Sequence, residues 1–208
     1  MRHLRIVMAA GIVSLSWALV PEITETAIAQ TTDSQTIIDS LAPKKPKTRS
    51  LTRSFSVQKP VETADDAFLK ALPTRGIRIE QRKKLDEIVE KQDLPSIDIE
   101  INFDYDSAQI RPSSLKDVDA LGQALTSDAL AESRIALNGH TDASGSDGYN
   151  QALSDRRAAA VRDYLINSFG IAADRLIAIG YGEERLKNPA DPLADENRRV
   201  EVINLTKG

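Results

Sequence analysis

Two charged residues and the segments that carry them make the strongest case for chemistry. The run Gly139-His140-Thr141-Asp142 has the composition of a turn at a strand end, and it offers one carboxylate. The segment that follows carries apolar residues at helical spacing: Leu153, Ala160, Val161, Tyr164 and Leu165. Arg157 falls inside that stripe, four after Leu153 and four before Val161, whereas Arg156 faces the polar side near Asp163. A cation at a partly buried position is expensive unless an anion or hydrogen-bond acceptors meet it. Arg157 therefore needs a partner, and the preceding turn supplies Asp142. A carboxylate and a guanidinium so placed make either a plain internal ion pair or part of a functional site.

Other chemistries fit poorly. Ser144 or Ser154 with His140 and Asp142 could be drawn as a hydrolase triad, but no glycine-flanked nucleophile turn is present. There is no cysteine, which excludes disulfides, thiolate metal sites, thiol catalysis and a lipid-bearing cysteine. Of two histidines, one lies in the first few residues, leaving His140 too isolated for a metal cluster. Gly139, Gly145 and Gly148 lack phosphate-loop spacing and a following lysine. Aromatic residues are 4% of the chain, too few for a base-stacking platform, and the net charge of −4 gives no case for nucleic acid. No cofactor, metal or catalysis is expected.

The elements that position these residues can be read from periodicity. Ile97, Ile99, Ile101 and Phe103 alternate with polar residues, as in a strand with one buried face. Pro112 opens a helix carried by Leu115, Val118, Leu121 and Leu125. Ile135 and Leu137 make a second strand, and Asn150 to Ser168 a long helix closed by Gly170. Leu176, Ala178 and Gly180 mark a third strand, and Val200, Val202 and Asn204 a fourth. The order β-α-β-α-β-β predicts an α+β two-layer sandwich, a small mixed sheet with helices on one face.

The chain has 208 residues, and the region ahead of this domain divides further. Arg2, His3 and Arg5 precede an uncharged apolar run, Ile6 to Val20, and Ala27-Ile28-Ala29 supplies small residues for a cut before Gln30. This is the pattern of an export signal over 1–29; retained, the same run would be a short membrane anchor. Residues 30–60 are rich in Thr, Ser, Lys and Pro without apolar period, and read as a disordered linker. Lys44, Lys45, Lys47, Arg49, Arg53 and Lys59 make that linker basic, with no acid between Ser40 and Val61. Over 61–94 two short helices are expected, Ala64 to Leu72 and Ile79 to Lys91, too small to stand alone and so packed on the domain at 95–208. A transmembrane barrel is not expected, because even the smallest would use up almost the whole chain.

Five blocks in order resemble the OmpA-like domain family. They are Asn102 to Pro112, Asn138 to Asp142, Tyr149 to Ala158, Gly180 to Glu183, and Asn197 to Glu201. The resemblance covers Pro95 to Gly208, 114 of 208 residues. It implies non-covalent binding of peptidoglycan through the diaminopimelate residue of the stem peptide, in the periplasm, with the outer membrane or one of its proteins as a further partner. It further implies that Asp142 takes the ammonium group of that residue and Arg157 its carboxylate. Thr141 and Asn150 would add hydrogen bonds, with Asp104 and Arg199 on neighbouring motifs. The barrel and lipidated cysteine that hold relatives in the outer membrane have no counterpart in the sequence. If the N-terminal run stays as a helix, the alternative is a wall-anchoring subunit of a motor or secretion complex.

Overall fold

A computed structural model describes residues 33–43, 62–104 and 106–206. The expected export signal and the basic tract from Lys44 to Lys59 lie outside these residues.

Four strands form one mixed sheet: β1 (Ser96–Ile99), β2 (Ile135–His140), β3 (Leu176–Gly182) and β4 (Val200–Asn204). Their spatial order is β1-β4-β2-β3. β4 runs antiparallel to both β1 and β2, and β2 pairs in parallel with β3. Helices α1 (Ser34–Leu41), α2 (Ala64–Ala71), α3 (Ile79–Gln92), α4 (Pro112–Thr126) and α5 (Asp147–Phe169) surround the sheet. The mixed sheet and the β-α-β-α-β-β order of the C-terminal domain are as the periodicity predicts.

Side-chain alternation splits the core between two faces. Ile99, Leu137, Leu176, Val200 and Val202 point to one side, where they meet Val118, Leu121 and Leu125 of α4 and Val161 and Leu165 of α5. Ala136, Ile177, Ile179, Tyr181 and Ile203 point to the other, where Leu69 of α2 and Leu85 and Ile88 of α3 cover them. The helices internal to the C-terminal domain thus share one face, and the two that precede it close the opposite one. Arg82 of α3 fastens this second layer, donating to Gly180 O at 2.6 Å and Gln151 Oε1 at 2.7 Å.

The linker expectation requires correction at its start. Ser34–Leu41 is a helix, capped by the Asp33 side chain, which accepts from Thr36 N at 2.7 Å. Ile37 and Leu41 are fully buried, and Asn204 Nδ2 donates to Leu41 O at 2.9 Å. Two such side chains stabilise the fold by about 1.5–3 kcal/mol each. Ile37, Ile38 and Leu41 make a single helical turn of stripe, too short to stand out as a period in a polar segment.

Strand β1 also stops earlier than the alternation suggests. After Ile99 the chain pairs with itself instead of with β4: Arg111 N donates to Asn102 O at 2.9 Å and Asp104 N to Gln109 O at 3.2 Å. Phe103 and Ile110 form an isolated antiparallel bridge. This small hairpin folds over the end of the sheet beside the turn after β2.

Candidate functional site

The turn after β2 and the first half of α5 are brought together by two close approaches. A Cβ on Gly139 would lie 2.6 Å from Ser154 O, and one on Gly180 would lie 2.5 Å from Asp155 N. Only glycine lets the helix backbone descend this far onto β2 and β3. Polar contacts then fix its height and rotation. Asp155 Oδ1 accepts from Gly180 N at 2.7 Å, and Ser154 Oγ accepts from Gly182 N at 2.8 Å. Ser154 Oγ also donates to Gln151 O at 2.9 Å, so the hydroxyl is engaged in holding the helix.

This packing, with the 102–111 hairpin, encloses a pocket of about 410 Å³. Asp142, Arg157, Thr141, Asn150 and Asp104 all line it. Five of the six residues singled out in the sequence therefore share one cavity.

Asp142 is anchored from two sides. Its Oδ1 accepts from Ser144 N at 3.0 Å, and its Oδ2 accepts from Arg198 Nη1 at 2.7 Å. Burial alone would raise this carboxyl, but the hydrogen bonds from Arg198 and Ser144 outweigh it and hold the group below the ordinary aspartate value. Asp142 is accordingly a carboxylate at neutral pH.

Arg157 is only 8% exposed, yet among the described residues it makes no ion pair. The expected direct pairing with Asp142 is not formed; that carboxylate pairs with Arg198 instead. Instead Arg157 Nε donates to Ser107 O at 3.1 Å, and its guanidinium carbon lies 4.9 Å from the centroid of the Phe103 ring. Burial depresses its proton affinity, while Tyr149 and Asp142 partly offset that. An arginine stays protonated regardless. The carbonyl and the ring hold the guanidinium in place, and the cation lines the pocket with no ion-pair partner among the described residues.

Thr141 is 3% exposed, and its buried Oγ1 has no hydrogen-bond partner among the described residues. Its backbone N–H donates to Gly182 O at 2.9 Å. Buried hydroxyls nearly always find a partner, so an orphan beside a cavity is a group left open for one. Asn150 Nδ2 donates to Asp142 O at 3.3 Å and to Glu183 Oε2, which braces the turn against the helix. Asp104 sits on the exposed rim, accepting from Arg111 Nε at 3.1 Å.

Arg199 does not belong to this site. Its Nε donates to Asp98 Oδ1 at 2.9 Å, and its two Nη atoms donate to Arg185 O. Arg198, which sequence reasoning passed over, is the member of that pair lining the pocket. The signal was available in the period of two. Val200 faces the α4/α5 side, so Arg198 shares that side and Arg199 the other.

His140 also points away from the pocket, stacking on Tyr181 at a centroid distance of 5.4 Å. Its Nε2 lies 3.6 Å from Glu201 Oε2, and among the described residues neither ring nitrogen has a partner at hydrogen-bond distance. Burial lowers its proton affinity. Glu201 is held by its surroundings: burial would raise its carboxyl, but His140, the Asn138 amide at 3.1 Å and Arg185 bring it down to about 2. His140 thus stacks on the other face from Asp142, and Ser154 Oγ is bonded to backbone.

Comparison with known proteins adds an independent line. A family model described as the OmpA family matches residues 102–199. Outer membrane porin F of Pseudomonas aeruginosa is 37% identical over 114 residues, which are 51% of this chain and 30% of that protein. The peptidoglycan-associated lipoprotein of Pseudomonas putida is 37% identical over 105 residues, 48% of this chain and 59% of that protein. The crystal structure of the peptidoglycan-associated lipoprotein from Burkholderia pseudomallei is similar with a TM-score of 0.43 and 27% identity, over 50% of this chain and 87% of that one. The chain thus spans 30% and 59% of the length of these two curated relatives. Among the described residues no helix is long and apolar enough to cross a membrane.

Proposed function

With residues 102–199 forming an OmpA family domain, we propose that this protein binds peptidoglycan non-covalently in the periplasm and so ties itself to the cell wall. The ligand group is the diaminopimelate residue of the stem peptide. Its side chain ends in a free zwitterion, an ammonium and a carboxylate on one carbon. The ammonium lies against Asp142, and the carboxylate takes the guanidinium fork of Arg157 with two parallel bonds. Thr141 Oγ1 and the Asn150 amide supply the remaining hydrogen bonds to the head group. The role is binding, with no bond made or broken. The names of the relatives, an outer membrane porin and a peptidoglycan-associated lipoprotein, support an envelope location and peptidoglycan as the partner.

The observation that carries the reading is a buried arginine that meets no anion among the described residues, in a pocket that also holds a fixed carboxylate and a buried hydroxyl with no hydrogen-bond partner among those residues. A structural ion pair would have left no such cation. The test is sedimentation with purified sacculi. Wild-type protein is expected in the pellet, and Asp142→Ala and Arg157→Ala in the supernatant with their thermal transitions retained. Unchanged sedimentation of both variants would overturn the assignment. Added salt should weaken binding, because the contact is charge on charge and partly open to solvent.

A further inference from the structure

The three arginines that line the pocket differ in how they are paired. Arg111 meets Asp104 on the rim, Arg157 meets no anion among the described residues, and Arg198 meets two. Arg198 Nη1 donates to Asp142 Oδ2 at 2.7 Å, and its Nη2 donates to Asp195 Oδ1. Asp195 opens a 3-10 turn, Asp195–Asn197, and is mostly exposed. Arg198 is therefore a bridge with one end in the pocket and the other on the surface.

We propose that Arg198 is the positioning residue for the ammonium-binding carboxylate: its fork holds Asp142 in place, oriented and charged, before a ligand arrives. This rests on the reading of the pocket given above. The geometry favours that role over a general structural one. The loop between β3 and β4 is organised by Asn197, whose Oδ1 accepts from Asn188 N at 2.8 Å and whose Nδ2 donates to Asp191 O at 2.9 Å. A further backbone bond, Ala143 N to Pro192 O at 3.0 Å, holds the loop against the turn. These bonds need nothing from the Arg198 side chain, whose own contacts go to carboxylates. A carboxylate has about four accepting positions. Ser144 N and Arg198 each use one, one per oxygen, so acceptor capacity is left for an ammonium. Asp195 on the far side of the guanidinium offsets the repulsion that a bare cation would exert on that ammonium. Lysine at 198 would keep the charge but not the two-ended fork.

The experiment uses Arg198→Gln, Arg198→Lys and Asp195→Asn in the full chain, with two readouts. The first is the titration of the Asp142 carboxyl followed by NMR in ligand-free protein. The second is binding of free meso-diaminopimelate and of sacculi as a function of pH. In Arg198→Gln the Asp142 midpoint should move to higher pH and the acid limb of binding should move with it. Affinity at neutral pH should fall roughly tenfold, the loss of one charge-assisted bond. Arg198→Lys should restore much of the titration but not the affinity. Asp195→Asn, at an exposed site that leaves folding intact, should weaken binding about threefold. An Asp142 midpoint unmoved in Arg198→Gln, or neutral-pH affinity equal to or above wild type, would overturn the proposal. If wild-type protein binds neither probe, the diaminopimelate reading fails, while the Asp142 titration still decides whether Arg198 holds that carboxylate.

Discussion

Replacing Glu201 by glutamine should flatten the acid end of the protein's stability profile. Glu201 is on β4 with its side chain largely buried among Asn138, His140 and Arg185. Its carboxyl is held at about 2, against 4.5 for a free glutamate. By linkage, a group whose folded value is depressed contributes stability that is complete above its unfolded value and lost as pH falls through the folded one. Wild-type protein should therefore lose about 3 kcal/mol from this group alone between pH 5 and pH 2. Glu201→Gln keeps the shape and an acceptor for Asn138 but removes the charge. At neutral pH it should be less stable by up to about 3 kcal/mol, or roughly 6–12 °C in thermal midpoint for a domain of this size. Below about pH 2 the two proteins should converge. Urea unfolding at half-unit pH steps measures both curves. Parallel curves, with the same acid slope in the variant, would refute the electrostatic reasoning.

Thr141→Val removes a buried hydroxyl that has no hydrogen-bond partner among the described residues. Calorimetry should show stability unchanged or raised by about 1 kcal/mol, while sacculus binding weakens. Gly180→Ala forces a Cβ against the α5 backbone at 2.5 Å, so the helix must shift and carry Arg157 with it; both melting temperature and binding should drop. Leu41→Ala should cost about 2–5 kcal/mol by urea denaturation, since Leu41 is fully buried against the domain. A cost below 0.5 kcal/mol, the level of a surface position, would remove α1 from the core.

Much of this architecture is legible in the chain because local and global signals coincide. The alternation around Ile97 and Ile99, the Pro112 start and the Gly170 stop each point to the element that forms. Arg157 was legible for a physical reason, since a cation in an apolar stripe must be met by something. What met it was not legible. A backbone carbonyl, Ser107 O, and the face of Phe103 come from a hairpin some fifty residues earlier in the chain, and no period encodes that contact. The Arg198 and Arg199 roles were separable by strand parity, although adjacent like residues hide it. The helix at Ser34–Leu41 escaped because its buried stripe is one turn long. The second helical layer was foreseen only as helices needing a surface; that they close the far face of the sheet follows from Tyr181, Ile177 and Ile203 pointing there.

The central claim is that the pocket grips the free head group of diaminopimelate between Asp142 and Arg157. Its most direct measurement is displacement of the protein from sacculi by meso-diaminopimelate, with Nα-acetyl-lysine amide as the control. That compound keeps the side-chain amine but has no carboxylate, so it lacks the zwitterionic head group. The account predicts that diaminopimelate releases the protein in a dose-dependent way and that the blocked lysine at equal concentration does not. Equal release by both, or by neither, would contradict it.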